Sequence, residues 1–76
     1  MDNEKFINKF KEALEIDDKE ISVSDKFRDF EEWDSLAFLS IIAMIDEEYD
    51  VIIKGDEFKT LETIEDIINS IASKIK

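Results

Sequence analysis

Residues 34–50 read DSLAFLSIIAMIDEEYD, and the fold is decided there. Asp34 is a helix-capping residue, because its carboxylate can accept backbone N–H groups of the turn that follows. Ser35–Tyr49 then reads as one strongly apolar helix. Its apolar set, Leu36, Phe38, Leu39, Ile41, Ile42, Ala43, Met44 and Ile45, covers more than one stripe. Such a helix sits centrally, with its side chains divided between several neighbouring helices and a surface open to a partner. Periodicity alone does not divide them.

Working outward, Asn3–Ile16 places Phe6, Ile7, Phe10, Ala13 and Leu14 at spacings of three and four, one stripe of a helix whose wet side carries Lys5, Lys9, Lys11 and Glu12. The period fails from Asp17 to Glu32. Ser22, Ser24 and Asp25 offer turn chemistry there, and Ile21, Val23, Phe27 and Phe30 are apolar anchors that pin a long loop to the core. Beyond the central helix, Val51–Gly55 reads as an extended link and Asp56–Lys59 as a short helical turn. Thr63-Ile64-Glu65-Asp66 resembles a capping box, and Ile64, Ile67, Ile68, Ile71, Ala72 and Ile75 supply the stripe of a last helix. The expectation is all-α: a small four-helix bundle, three main helices plus a short third one, with a long loop between helices 1 and 2, forming a single domain over residues 1–76.

Composition agrees. The single Gly and absent Pro remove hairpin punctuation, and 43% hydrophobic residues with six Phe suffice for one modest core. Zero Cys excludes disulfides and thiolate metal sites, and zero His removes the commonest general base and metal ligand. No calcium-loop pattern occurs, so no metal is expected. The amino terminus has no basic region leading into an apolar run, and no stretch is long and apolar enough for a membrane span. A cytoplasmic location is expected. The net charge of −11 repels phosphate backbones and anionic lipid and attracts basic protein surfaces. Neither nucleic acid nor membrane is expected as a partner, and the chain is expected to be a monomer.

Asp34-Ser35-Leu36 stands where the long loop meets the apolar helix, and that helix ends in Ile45-Asp46-Glu47-Glu48-Tyr49-Asp50-Val51. Tripeptide, preceding loop, acidic helix end, short third helix and length together resemble the acyl carrier protein family over nearly the whole chain. The resemblance implies a protein that is not an enzyme. It implies that Ser35 receives 4'-phosphopantetheine from coenzyme A through a magnesium-dependent phosphopantetheinyl transferase, and that the arm's thiol carries acyl groups for loading and processing enzymes. Asp34 would cap the helix and present a carboxylate to the transferase. Leu36 would sit exposed beside the arm, with Ala43 or Met44 extending the patch, and Glu47, Glu48, Asp56 and Glu57 would attract basic docking patches.

Physical chemistry supports that role independently. A serine in the first helical turn is exposed and holds a phosphodiester near the partial positive charge of the helix N-terminus. A serine nucleophile needs an adjacent base. The chain has no His, and nothing in the spacing aims Lys54 or Lys59 at Ser35. Ser22, Ser24, Ser40, Ser70 and Ser73 do not follow an acidic residue at an apolar helix entry. Two departures from the family pattern stand out. Glu32 occupies a place where many members have Gly, and Ala37 and Ser40 replace the acidic residues that housekeeping fatty-acid carriers often place after the tripeptide. These departures suit a carrier for polyketide, aminoacyl or glycan-modifying chemistry as well as one for fatty acid synthesis. A fatty cargo would call for an apolar pocket between helices, since each buried methylene contributes about 0.8 kcal/mol.

The competing reading is a small acidic helical adaptor that binds a basic partner without a prosthetic group, for which Ser35 would be dispensable. Either way, an excess of acidic charge on so small a domain is self-repulsive. The melting temperature should therefore rise with added salt from low ionic strength, as screening shortens the Debye length to about 10 Å at 0.1 M; a flat response in a salt series followed by circular dichroism would refute this.

Overall fold

The computed structural model describes residues 2–17 and 19–75. Four α-helices follow one another: α1 (Asn3–Ala13), α2 (Ser35–Tyr49), α3 (Gly55–Phe58) and α4 (Ile64–Lys74). A single 3-10 turn at Phe27–Asp29 interrupts the long α1–α2 connection. The bundle is all-α, as the hydrophobic periodicity requires.

Helix α1 opens on Asp2, whose carboxylate accepts the N–H groups of Glu4 at 3.0 Å and Lys5 at 3.2 Å. It stops at Ala13 instead of continuing to Ile16. The reason is a Schellman closure: the N–H of Ile16 donates to Lys11 O at 2.9 Å and that of Glu15 to Glu12 O at 3.1 Å, with Glu15 in the left-handed region at φ 57°. Leu14 and Ile16, at and beyond that turn, are buried in the core.

The long connection is pinned as its apolar residues suggest, with Ile21 and Phe27 buried and Val23 and Phe30 half-buried. It also makes backbone bonds that periodicity does not reveal. Asp25 O accepts the N–H of Ile64 at 3.1 Å, and Val23 O accepts that of Glu65 at 2.8 Å. The first N–H groups of α4, unsatisfied within any helix, are therefore taken by the loop. The expected capping box completes the end. Thr63 Oγ1 accepts from Asp66 N at 3.1 Å, and the Asp66 carboxylate accepts from Thr63 N at 3.1 Å and Glu62 N at 3.0 Å. These backbone donors hold the Asp66 carboxyl below its ordinary pKa.

The core is an isoleucine and phenylalanine interior in which Phe6, Phe10, Phe27, Ile41, Ile45, Ile64, Ile67 and Ile71 are completely buried. Short α3 has too few residues to be stable alone, and side chains fix its C-terminal end. Arg28, from the 3-10 turn, donates its Nε to Leu61 O at 3.1 Å and Nη2 to Phe58 O at 2.8 Å. Glu57 accepts from the buried Ser70 hydroxyl at 2.6 Å and pairs with Lys74 at 3.0 Å, tying α3 to α4. The Ser70 hydrogen bond first, and Lys74 second, hold the Glu57 carboxyl below its ordinary pKa.

Two stability predictions follow from these contacts. Glu15→Gly should stabilise the fold by about 0.5–1 kcal/mol, since glycine occupies the left-handed region without a Cβ penalty; Glu15→Ala keeps that penalty and should give no such gain in urea unfolding. The depressed Glu57 pKa means that its contribution is complete above the ordinary carboxylate range and disappears as pH falls through its folded value. The melting-temperature gap between wild type and Glu57→Gln should thus be present at neutral pH and close on acidification.

Candidate functional site

Ser35 is the first residue of α2 and is exposed to solvent. Asp34 precedes it in an extended conformation and turns its carboxylate inward, where Oδ1 accepts the Ala37 N–H at 2.8 Å. The cap thereby uses the Asp34 side chain while leaving Ser35 on the outer surface. Below it, Ala37 is buried at the contact with the bundle, and Ile41, Met44 and Ile45 continue that buried face. α2 carries no acidic residue in its first turn and no basic residue in its last.

The residue just before the cap fixes the entry angle of the helix. The half-buried Trp33 lies nearly parallel to Phe10 and Phe58, with interplanar angles of 1° and 4° and centroid distances of 6.3 and 5.9 Å. Phe27 meets it edge-on at 4.8 Å. Glu32 accepts a hydrogen bond from Lys19 Nζ at 3.0 Å, and the same ammonium lies 4.9 Å from the Phe30 ring centroid. This hydrogen bond is the main reason the Glu32 carboxyl lies below its ordinary pKa. A charged, paired side chain thus holds the loop before the site.

On the α3 side, Ser35 borders an open recess of about 240 Å³ lined by Arg28, Trp33, Asp34, Phe38, Gly55, Phe58 and Lys59. The Phe38 and Phe58 rings meet edge-on at 5.2 Å and line it together with Trp33. Sequence patterning did not single out Arg28, Phe38 or Lys59 as site residues. They come from three separate segments, and no local spacing announces their meeting.

The other expected site residues are distributed unevenly. Leu36 is 73% exposed and Ala43 is also exposed, whereas Met44 is 8% exposed and faces the core. Met44 therefore does not extend the surface patch, because its position on α2 falls on the buried Ala37–Ile41–Ile45 side. Leu39, at 58% exposure one turn beyond Leu36, is the apolar residue that does. Glu47 and Asp56 are exposed. Glu48 is within 3.7 Å of Lys9 on α1. Glu57 is half-buried, and its carboxylate is engaged by Ser70 and Lys74 of α4. Among the described residues, no group of three His, Cys, Asp or Glu side chains is placed to hold a metal ion, and no helix is long and apolar enough to cross a membrane.

An exposed hydroxyl at the positive end of a 15-residue helix, beside a recess with two cationic side chains, fits an anionic phosphodiester attached to Ser35. Comparison with known proteins bears on the same feature. A search of curated proteins finds no match. The family model described as the phosphopantetheine attachment site matches residues 4–71, from the first turn of α1 into the last turn of α4. Members of that family carry 4'-phosphopantetheine on a serine. The chain belongs to the phosphopantetheine-attachment family, that of the acyl carrier proteins.

Proposed function

We propose that this chain is an acyl carrier protein whose phosphopantetheine arm is attached to Ser35 and whose partners are a phosphopantetheinyl transferase and acyl-loading and acyl-processing enzymes. The observation that carries this reading is the exposed Ser35 at the start of α2, inside the family-matched region, with Asp34 already holding the cap. Once attached, the arm supplies a thiol that holds an acyl group as a thioester. The chain's own residues do the positioning. Asp34 fixes the first turn, Trp33 fixes the direction of α2, and the helix N-terminus favours the negative phosphodiester by about 0.3–1 kcal/mol. In the loading step the Ser35 hydroxyl oxygen bonds to phosphorus as the nucleotide half of coenzyme A departs. The serine proton passes to a base on the transferase, in keeping with the lack of His in this chain.

The outward face of α2 supports the partner reading. Leu36, Leu39 and Ala43 lie exposed near Ser35, followed by exposed Asp46 and Glu47 and then Asp50. A partner with an apolar rim around its active-site entrance and basic groups farther away fits this gradient. Asp56 on α3 and Glu48 beside Lys9 add exposed acidic charge, and Glu57 does not take part. The apolar start of α2 suits a carrier for a specialised pathway as well as one for fatty acid synthesis.

Incubation with coenzyme A, magnesium and a promiscuous phosphopantetheinyl transferase should add the mass of one phosphopantetheinyl group to the wild type. Ser35→Ala should remain unmodified while losing under about 1 kcal/mol of stability, since Asp34 still caps the helix. Equal labelling of the variant would move the attachment elsewhere; no labelling of folded wild type would instead favour the adaptor reading.

A further inference from the structure

Two open recesses between α1 and α2 adjoin each other, and both are lined by Ala13 of α1 and Ser40 of α2. Together they form one groove. It reaches from Leu36 near the start of α2 to Glu48 near its end, roughly 18 Å along the helix at 1.5 Å per residue. Ser35 does not line it and belongs to the recess shared with α3. Ala37, Ser40 and Ala43, which α2 contributes to the groove at spacings of three, are all small. Small side chains there leave room for the ridge of another helix.

The charge of the groove is one-sided. Its charged residues are carboxylates except for Lys9, which lies 3.7 Å from Glu48. Asp34 accepts the Ala37 N–H and Glu32 is paired with Lys19. Glu12, Glu15 and Glu47 are exposed and form no ion pair among the described residues. Two of these three stand where local energetics oppose them. Glu15 adopts the left-handed conformation that glycine accommodates better, and Glu47 adds negative charge to the negative end of α2. Both carboxylates line this groove.

We infer that the α1–α2 groove docks a cationic amphipathic helix of a partner protein. Its apolar ridge lies along Ala13, Ser40 and Ala43, and its Arg or Lys side chains meet Glu12 and Glu15 on one rim and Glu47 on the other. This is helix-in-groove recognition with complementary charge at both edges. Nucleic acid, an anionic lipid surface or a second copy of this acidic chain would meet the same carboxylates with repulsion. The surface is separate from Ser35, so the inference holds with or without an attached arm.

The test uses the full chain labelled with nitrogen-15 at low ionic strength. The probe is a synthetic helix-forming peptide of about three turns with a leucine stripe flanked by arginines, and a second peptide has glutamates in place of the arginines. In nuclear magnetic resonance the arginine peptide should shift the amides of Glu12, Ala13, Ser40 and Ala43 and leave those of Gly55 and Asp56, while circular dichroism shows it gaining helix. The glutamate peptide should not bind. Glu12→Gln and Glu15→Gln should each raise the Kd roughly 1.5- to 5-fold, the effect of losing an exposed ion pair. Asp56→Asn and Glu62→Gln, which change the net charge equally, should not. Glu15→Gly should bind as weakly as Glu15→Gln even though its fold is the more stable. Intact mass after transferase treatment reads the carrier role separately, so either reading can fail alone. Shifts centred on α3, equal weakening by all four charge-neutralising substitutions, or no binding by the folded chain would overturn the docking site; binding without a gain in helix would overturn the helical partner.

Discussion

Trp33 is wedged between Phe10 of α1 and Phe58 of α3, with Phe27 of the 3-10 turn at its edge, and the placement of the site depends on this packing. Aromatic pairs of this kind contribute about 0.5–1.5 kcal/mol beyond area burial. Their greater effect here is geometric. A single side chain immediately before Asp34 locks together three segments that are distant in sequence. The start of α2, and Ser35 with it, is thereby held at a fixed place on the bundle surface. Trp33 and Phe58 also line the recess beside Ser35, so one packing arrangement sets both the position of the attachment residue and the space next to it.

The charge of α2 runs against its own stability. Acidic side chains favour helix N-termini and basic ones C-termini, yet α2 has no acid in its first turn, while Asp46, Glu47 and Glu48 crowd its last and Asp50 closes it in the left-handed region. Among the described residues, only Lys9, 3.7 Å from Glu48, answers this charge from a neighbouring helix. Crowding like charges at the end the macrodipole already makes negative has no local structural benefit, and such violations concentrate where function requires them. Glu57 has the opposite character. It looks in sequence like one more surface acid, but its carboxylate is bound by Ser70 and Lys74 and holds the shortest helix in place.

The helices were legible in the sequence because each carries a periodic stripe and a local start signal. Ser35–Tyr49 and the capping box of α4 fall where the residues put them. The loop was less so. Its apolar anchors could be read, but its carbonyl bonds to the first N–H groups of α4 belong to backbone atoms, which every residue has, and leave no mark on residue type. The end of α1 leaves no mark on residue type either. Glu15 adopts a left-handed conformation that usually selects glycine, so the stop signal was missing from the sequence.

The sequence by itself determined that the chain is helical, where α2 begins, and that Ser35 follows a capping acid at an apolar helix entry, since these depend on neighbours within one turn. The tertiary structure alone decided that Met44 faces inward and Leu39 outward, because α2 is apolar on more than one side and only the packing of neighbouring elements selects the buried one. It also decided that Arg28, Phe38 and Lys59 meet beside Ser35. Those residues lie on separate segments, and their encounter is fixed by how the aromatic rings pack.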